Sequence, residues 1–158
     1  MADPAWHEAR HMDGNYLYLK LLHVLVAVVA LGTSAGLGIV LELYGDDSTH
    51  GSFVLRVIER MVLLVVVPGY VLMLATGLWM VHLAWPFTAK WIQVALGLWA
   101  VGAASLGWSL ATLRRQRRLH ATDGCSTQYR RAAVASRVAG GAFGLVVVAF
   151  LYVMVFKP

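Results

Sequence analysis

The sequence predicts an all-α, polytopic membrane protein, a four-transmembrane-helix bundle forming a single domain over residues 1–158. Three observations lead there. Apolar runs occupy residues 16–44, 54–82, 91–113 and 136–156, each longer than the ~20 residues a helix needs to cross a bilayer. Charged residues make up 13% of the chain, about half the ~25% of a soluble domain, and they fall mostly between the runs. Mean hydropathy is +0.69. The short connections leave no room for a separate soluble domain.

Taken in order, residues 1–15 form a polar external segment of mixed charge, not a persuasive signal peptide. The first apolar run exceeds a typical signal-peptide core, so it is expected to be a retained helix. It carries His23, Ala27, Ala30, Ser34 and Gly38 at helical spacing. Apart from the histidine these are small, which suits close helix packing, as do Gly32 and Gly36 on another face. The same stripe would also leave space for a flat macrocycle held by the imidazole. The second run contains Pro68-Gly69, where the missing N–H commonly kinks a membrane helix, and later Thr76-Gly77. The third opens with Lys90, Trp91 and Gln93. The fourth carries Ser136, Gly140 and Gly144 at four-residue spacing, a small-residue face suited to tight contact or to a homodimer. Trp79, Trp85, Trp91 and Tyr152 are expected near one membrane interface, where amphipathic rings are favoured.

Basic residues set the expected orientation. The connection at 114–135 carries Arg114, Arg115, Arg117, Arg118, Arg130 and Arg131 against one acid, Asp123, and Arg56 and Arg60 lie at the same end. The positive-inside bias places this loop in the cytoplasm and both termini outside, periplasmic in a bacterial inner membrane. The net charge of +5 therefore reports topology and not nucleic-acid binding. Glu59 is expected to pair with Arg56 at i−3, and Glu42 with Arg60 across the first connection. The lone Cys125 excludes an intrachain disulfide and a cysteine-based metal cage.

An ionisable side chain within a membrane helix points to function by default, which singles out His23. It lies seven residues into the first run, ~10 Å deep at 1.5 Å per residue. His82 ends the second run, while Lys20 and Lys90 open the first and third, so all four share one layer of the bundle. Imidazoles and ammonium groups in one layer suit a b-type heme, with histidine on the iron and lysine on the propionates. His82 read alone is an interfacial residue, and lysines at helix ends ordinarily snorkel. His7 and His11, four apart in the external segment beside Met12, form half of a divalent-metal site. His50 and His120 carry no spacing information. No nucleotide-binding glycine loop, nucleophilic triad or paired intramembrane carboxylates occur in the sequence.

Several short motifs add up to a resemblance. The first run opens Tyr16-Leu-Tyr-Leu-Lys20-Leu-Leu-His23; Pro68 and Ala75-Thr76-Gly77-Leu78-Trp79 mark the second; Trp85 precedes Lys90 by five residues; and the sequence closes on Val155-Phe156-Lys157-Pro158. From residue 16 to residue 158 the chain resembles an uncharacterised family of small four-helix predicted integral membrane proteins. More distantly it is similar to the HemJ-type membrane protoporphyrinogen oxidases and the copper-resistance D family. The HemJ resemblance implies heme b and porphyrin oxidation. Its Lys-x-x-His falls on Lys20 and His23, its Trp-x4-Lys on Trp85 and Lys90, and its terminal Lys-Pro on Lys157 and Pro158. The third run departs from that pattern, offering Trp99, Ser105 and Trp108 where the type has a histidine. Leu43-Tyr44-Gly45-Asp46-Asp47 also lacks its Pro-Arg pair.

The expected function is accordingly a heme b-binding protein of the bacterial inner membrane with a redox or electron-transfer role, an oxidoreductase if it is an enzyme. His23 is the expected axial ligand, His82 the candidate second, and Lys20 and Lys90 the propionate partners. The electron-transfer partner is unknown. Copper handling is the alternative, with His7, His11 and Met12 collecting the ion and His23 passing it inward to Met73 or Met80. A non-catalytic scaffold or assembly factor is the second alternative.

Overall fold

Two helical hairpins make up the protein. In the computed structural model, which describes residues 14–45, 47, 50–122 and 126–156, α1 spans Gly14–Tyr44 and α2 spans Gly51–Ala84. The second hairpin pairs α3, Lys90–Thr122, with α4, Thr127–Phe156. All four helices are long and apolar enough to cross a membrane, and the described residues contain no strand. Each hairpin packs along its length, and the two are joined mainly where the start of α2 meets α3. His7, His11, Met12, Lys157 and Pro158 lie outside the described residues.

Pro68 shapes α2 by widening the helix one turn earlier. Residues Val62–Val66 form a π-turn, and the Val67 N–H donates to Val62 O, five residues back. A proline ring clashes with the carbonyl four residues before it in α geometry, and a π-turn re-spaces those carbonyls. Next to this distortion, Gly69 lets the α2 backbone meet Ala30 of α1: a Cβ there would lie 2.6 Å from Ala30 Cβ. Ala30 is fully buried, and Ala27 packs against the Tyr70–Met73–Phe143 cluster. At Ala27 and Ala30 the small stripe of α1 is thus filled by its neighbours. Lipid offers no hydrophobic reward for helix association, so this close approach supplies dispersion contact directly. Gly32, Gly36 and Gly38 take no part in it; a Cβ on any of them would meet nothing within 4 Å.

Tyr70 ties the two hairpins together at mid-depth. Its ring stacks on Trp99 of α3 at 5.3 Å and tilts against Phe143 of α4 at 6.0 Å. Its hydroxyl donates to Trp99 O at 2.9 Å, while Trp99 Nε1 donates back to Tyr70 O at 3.3 Å. Gly102 makes room for that hydroxyl, since a Cβ there would clash with Tyr70 Oη. Each buried polar atom thereby gains the partner that hydrocarbon cannot supply.

The arginine-rich end differs from expectation. Residues 114–122 and 127–135 are helical where the sequence suggested a loop, because α3 and α4 run on as an amphipathic pair. Leu113 packs on Leu55 and Ile58 of α2, and Gln116 Nε2 donates to Tyr129 Oη, which donates to Gly45 O at 2.7 Å. His120 tilts against Tyr129 and covers Gly51. This extension brings Arg114 and Arg117, one turn apart, onto buried Glu59: Arg114 Nε lies 2.9 Å from Oε1, and Arg117 Nη1 donates to Oε2. Arg56 instead donates to Ser52 O at 3.3 Å. Glu42 pairs with Arg137 of α4 at 3.0 Å, not with Arg60. In both cases the acid reaches across to another helix, Glu59 to the extension of α3 and Glu42 to Arg137 at the start of the fourth apolar run.

Candidate functional site around His23

At the opposite end, His23 turns inward from α1 onto the Thr76-Gly77 step of α2. His23 Nδ1 lies 2.7 Å from Thr76 Oγ1. A Cβ on Gly77 would come within 3.2 Å of the His23 Cε1, so glycine lets the ring lie flat against the α2 backbone. Thr76 Oγ1 is also 2.8 Å from Leu72 O and 3.2 Å from Met73 O. Those carbonyls only accept, so the single hydroxyl proton is donated to them, and Oγ1 accepts from His23 Nδ1–H. The tautomer follows: Nδ1 carries the proton and Nε2 keeps its lone pair. A histidine whose Nδ1–H is held by a polar neighbour is oriented for metal ligation through the other nitrogen. The Met73 backbone of α2 also hydrogen bonds the His23 imidazole.

The other residues of this layer do not gather on His23. His82 is exposed; it follows Thr76 by six residues, about 9 Å along α2 and about a third of a turn off the Thr76 face. Lys90 is exposed at the start of α3, and Lys20 is exposed one turn before His23 on the same face. No hydrogen bond or ion pair joins Lys20, His82 or Lys90 to His23 or to one another among the described residues. Met73 belongs to the core with Tyr70 and Phe143. Trp85 and Trp91 meet edge to face at 5.5 Å and close the α2–α3 turn, an architectural role.

The bundle is closely packed at mid-depth, away from His23. The interior void lined by Leu31, Tyr70, Met73, Phe143, Val146, Val147 and Phe150 offers about 10 Å³, enough for one water and far too little for a macrocycle. His23 is half-buried against α2, and Lys20 is exposed one turn earlier on α1. An enclosed pocket and a bis-histidine pair are not built within the described residues. No three His, Cys, Asp or Glu side chains gather to hold a metal ion there either.

The reading of the residues missed Thr76 as the partner of His23, although a signal was present. His23 lies seven residues into the first run and Thr76 six residues before the end of the second. Antiparallel neighbours put those positions at one depth.

Four apolar helices, each of membrane-spanning length, with an ionisable residue held between the first two, define a small polytopic integral membrane protein. Residues 17–158 match the family described as predicted integral membrane protein (DUF2269), and the chain belongs to that family. No curated protein and no solved structure matches it. The likeness to the HemJ type and to the copper-resistance D family therefore rests on the short motifs alone.

Proposed function

We propose that the protein binds heme b in the bacterial inner membrane, with His23 as its one histidine ligand through Nε2. The observation that supports this reading is the His23–Thr76 hydrogen bond, which orients the imidazole and, with the hydroxyl proton given to its own helix, favours the Nδ1–H tautomer with a lone pair on Nε2. Thr76 is a positioning residue: it holds the ring and sets its protonation. Lys20, exposed on the same face, supplies a positive charge for a propionate. His82 plays no part in ligation in this reading, because it is exposed about 9 Å further along α2 and about a third of a turn off the Thr76 face. Heme held by His23 alone would supply redox chemistry, which favours an oxidoreductase or ligand-sensing role over simple electron transfer.

The test is a heme titration of the purified full-length protein followed at the Soret band. Wild type and His82→Ala are expected to saturate at one heme per chain with the same spectrum, and His23→Ala to lose specific binding. Equal binding by His23→Ala, or loss of binding in His82→Ala, overturns the assignment.

A further inference from the structure

We infer that the outer face of α4 at the arginine-rich end binds an anionic phospholipid, headgroup to Arg130 and Arg131 and acyl chain along Val134 and Val138. An open groove of about 410 Å³ runs there, lined by Thr127, Arg130, Arg131, Val134, Ala135 and Val138 of α4, with Trp108 of α3 as its wall. The α4 residues recur at three- and four-residue spacing, so they form one helix face. That face is graded. Thr127, Arg130 and Arg131 stand at its polar-loop end, while the next two turns are wholly apolar. Thr127 to Val138 is eleven residues, roughly 16 Å of helix, the reach from a headgroup to the middle of an acyl chain.

Charge selects the occupant. Among the described residues neither Arg130 nor Arg131 has a carboxylate partner, whereas Glu59 is taken by Arg114 and Arg117, and Glu42 by Arg137. Both arginines are exposed, and so are Val134 and Val138, at 56% each. In a membrane-spanning helix such an apolar face meets lipid. Guanidinium pairs recognise phosphate oxygens in bidentate fashion, and basic pockets at the ends of transmembrane helices select anionic headgroups. The half-exposed Trp108 ring suits the interfacial depth. The site lies at the opposite end of the bundle from His23 and does not depend on the heme reading.

Native mass spectrometry of the full-length protein in detergent, titrated with phosphatidylglycerol or phosphatidylcholine of identical chains, provides the test. Wild type is expected to retain phosphatidylglycerol about thirtyfold more tightly, as two basic contacts of ~1 kcal/mol each imply. Arg130→Gln/Arg131→Gln should abolish the preference, while Arg56→Gln/Arg115→Gln, with the same change in charge, should keep it. Val134→Trp fills the groove without touching the arginines and should weaken phosphatidylglycerol binding, a second readout should the arginine variant misfold. Equal retention of the two lipids by wild type overturns the proposal. So does an unchanged preference in a folded Arg130→Gln/Arg131→Gln variant, or undiminished phosphatidylglycerol binding by Val134→Trp. Complete displacement of phosphatidylglycerol by millimolar inorganic phosphate would mark a simple phosphate site and overturn it as well.

Discussion

His23 of α1 and Thr76 of α2 lie 2.7 Å apart, nitrogen to oxygen, with the hydroxyl proton directed back to its own helix. This contact both packs two helices and sets the protonation of an imidazole. The proposed ligand function then predicts that Thr76→Val, which keeps the shape and removes the acceptor, weakens heme binding by about 10–100-fold. Thr76→Ser should restore it. The dissociation constant from Soret titration checks both, and an unchanged constant in Thr76→Val would show that the hydrogen bond only packs the helices.

Gly69 and Ala30 test the packing independently of any cofactor. Gly69→Ala places a methyl group 2.6 Å from Ala30 Cβ and should destabilise the protein by about 1–3 kcal/mol. Ala30→Gly removes the opposing methyl, so Gly69→Ala/Ala30→Gly should recover most of that loss. Thermal unfolding in detergent reads the cycle; additive losses in the double variant would mean the two positions are not in contact.

The Tyr70–Trp99 junction gives a second swap. Gly102→Ala drives a Cβ into Tyr70 Oη and should break the hydroxyl's bond to Trp99 O. Tyr70→Phe alone loses that bond, at a cost of ~1 kcal/mol. In Tyr70→Phe/Gly102→Ala the clash is gone, the remaining contact being with the ring carbon at 3.2 Å. The double variant should therefore be more stable than Gly102→Ala. The reverse order of unfolding temperatures would rule out this account of the junction.

Glu59 joins α2 to α3 through Arg114 and Arg117. Breaking a buried pair by removing one partner costs ~3–5 kcal/mol, but both guanidinium groups remain nearly half exposed, so solvent screens them. Glu59→Ala is expected to cost about 1–3 kcal/mol by chemical unfolding, and Arg56→Ala almost nothing. A larger effect from Arg56 would restore the local pair expected from spacing.

The fold was legible because hydropathy and helix length are properties of each segment alone, and 16–44 agrees closely with α1. Pro68 announced a distortion in α2, but a π-turn before it cannot be told from a kink by composition. The helical extensions at 114–122 and 127–135 were hidden because arginine-rich sequence reads as a polar loop until Gln116, His120 and Tyr129 are seen to share a packed face. The ion pairs went wrong for the same reason: spacing along one helix finds Arg56 for Glu59, and only tertiary structure finds Arg114 and Arg117. At the candidate site, the intramembrane position of His23 was plain. Its partner Thr76, the backbone room given by Gly77 and the exposure of His82 depend on helix rotation, which the apolar faces of lipid-exposed helices do not encode.

The most direct test of the central claim is chemical rescue at His23. Full-length His23→Gly, purified from cells supplied with heme, is compared with wild type for heme b content and Soret absorbance, with and without added imidazole. Ligation through His23 predicts stoichiometric heme in wild type, little in His23→Gly, and recovery of binding and spectrum when imidazole is supplied. A wild-type protein without a Soret band, or a His23→Gly variant that keeps its heme without imidazole, would contradict it.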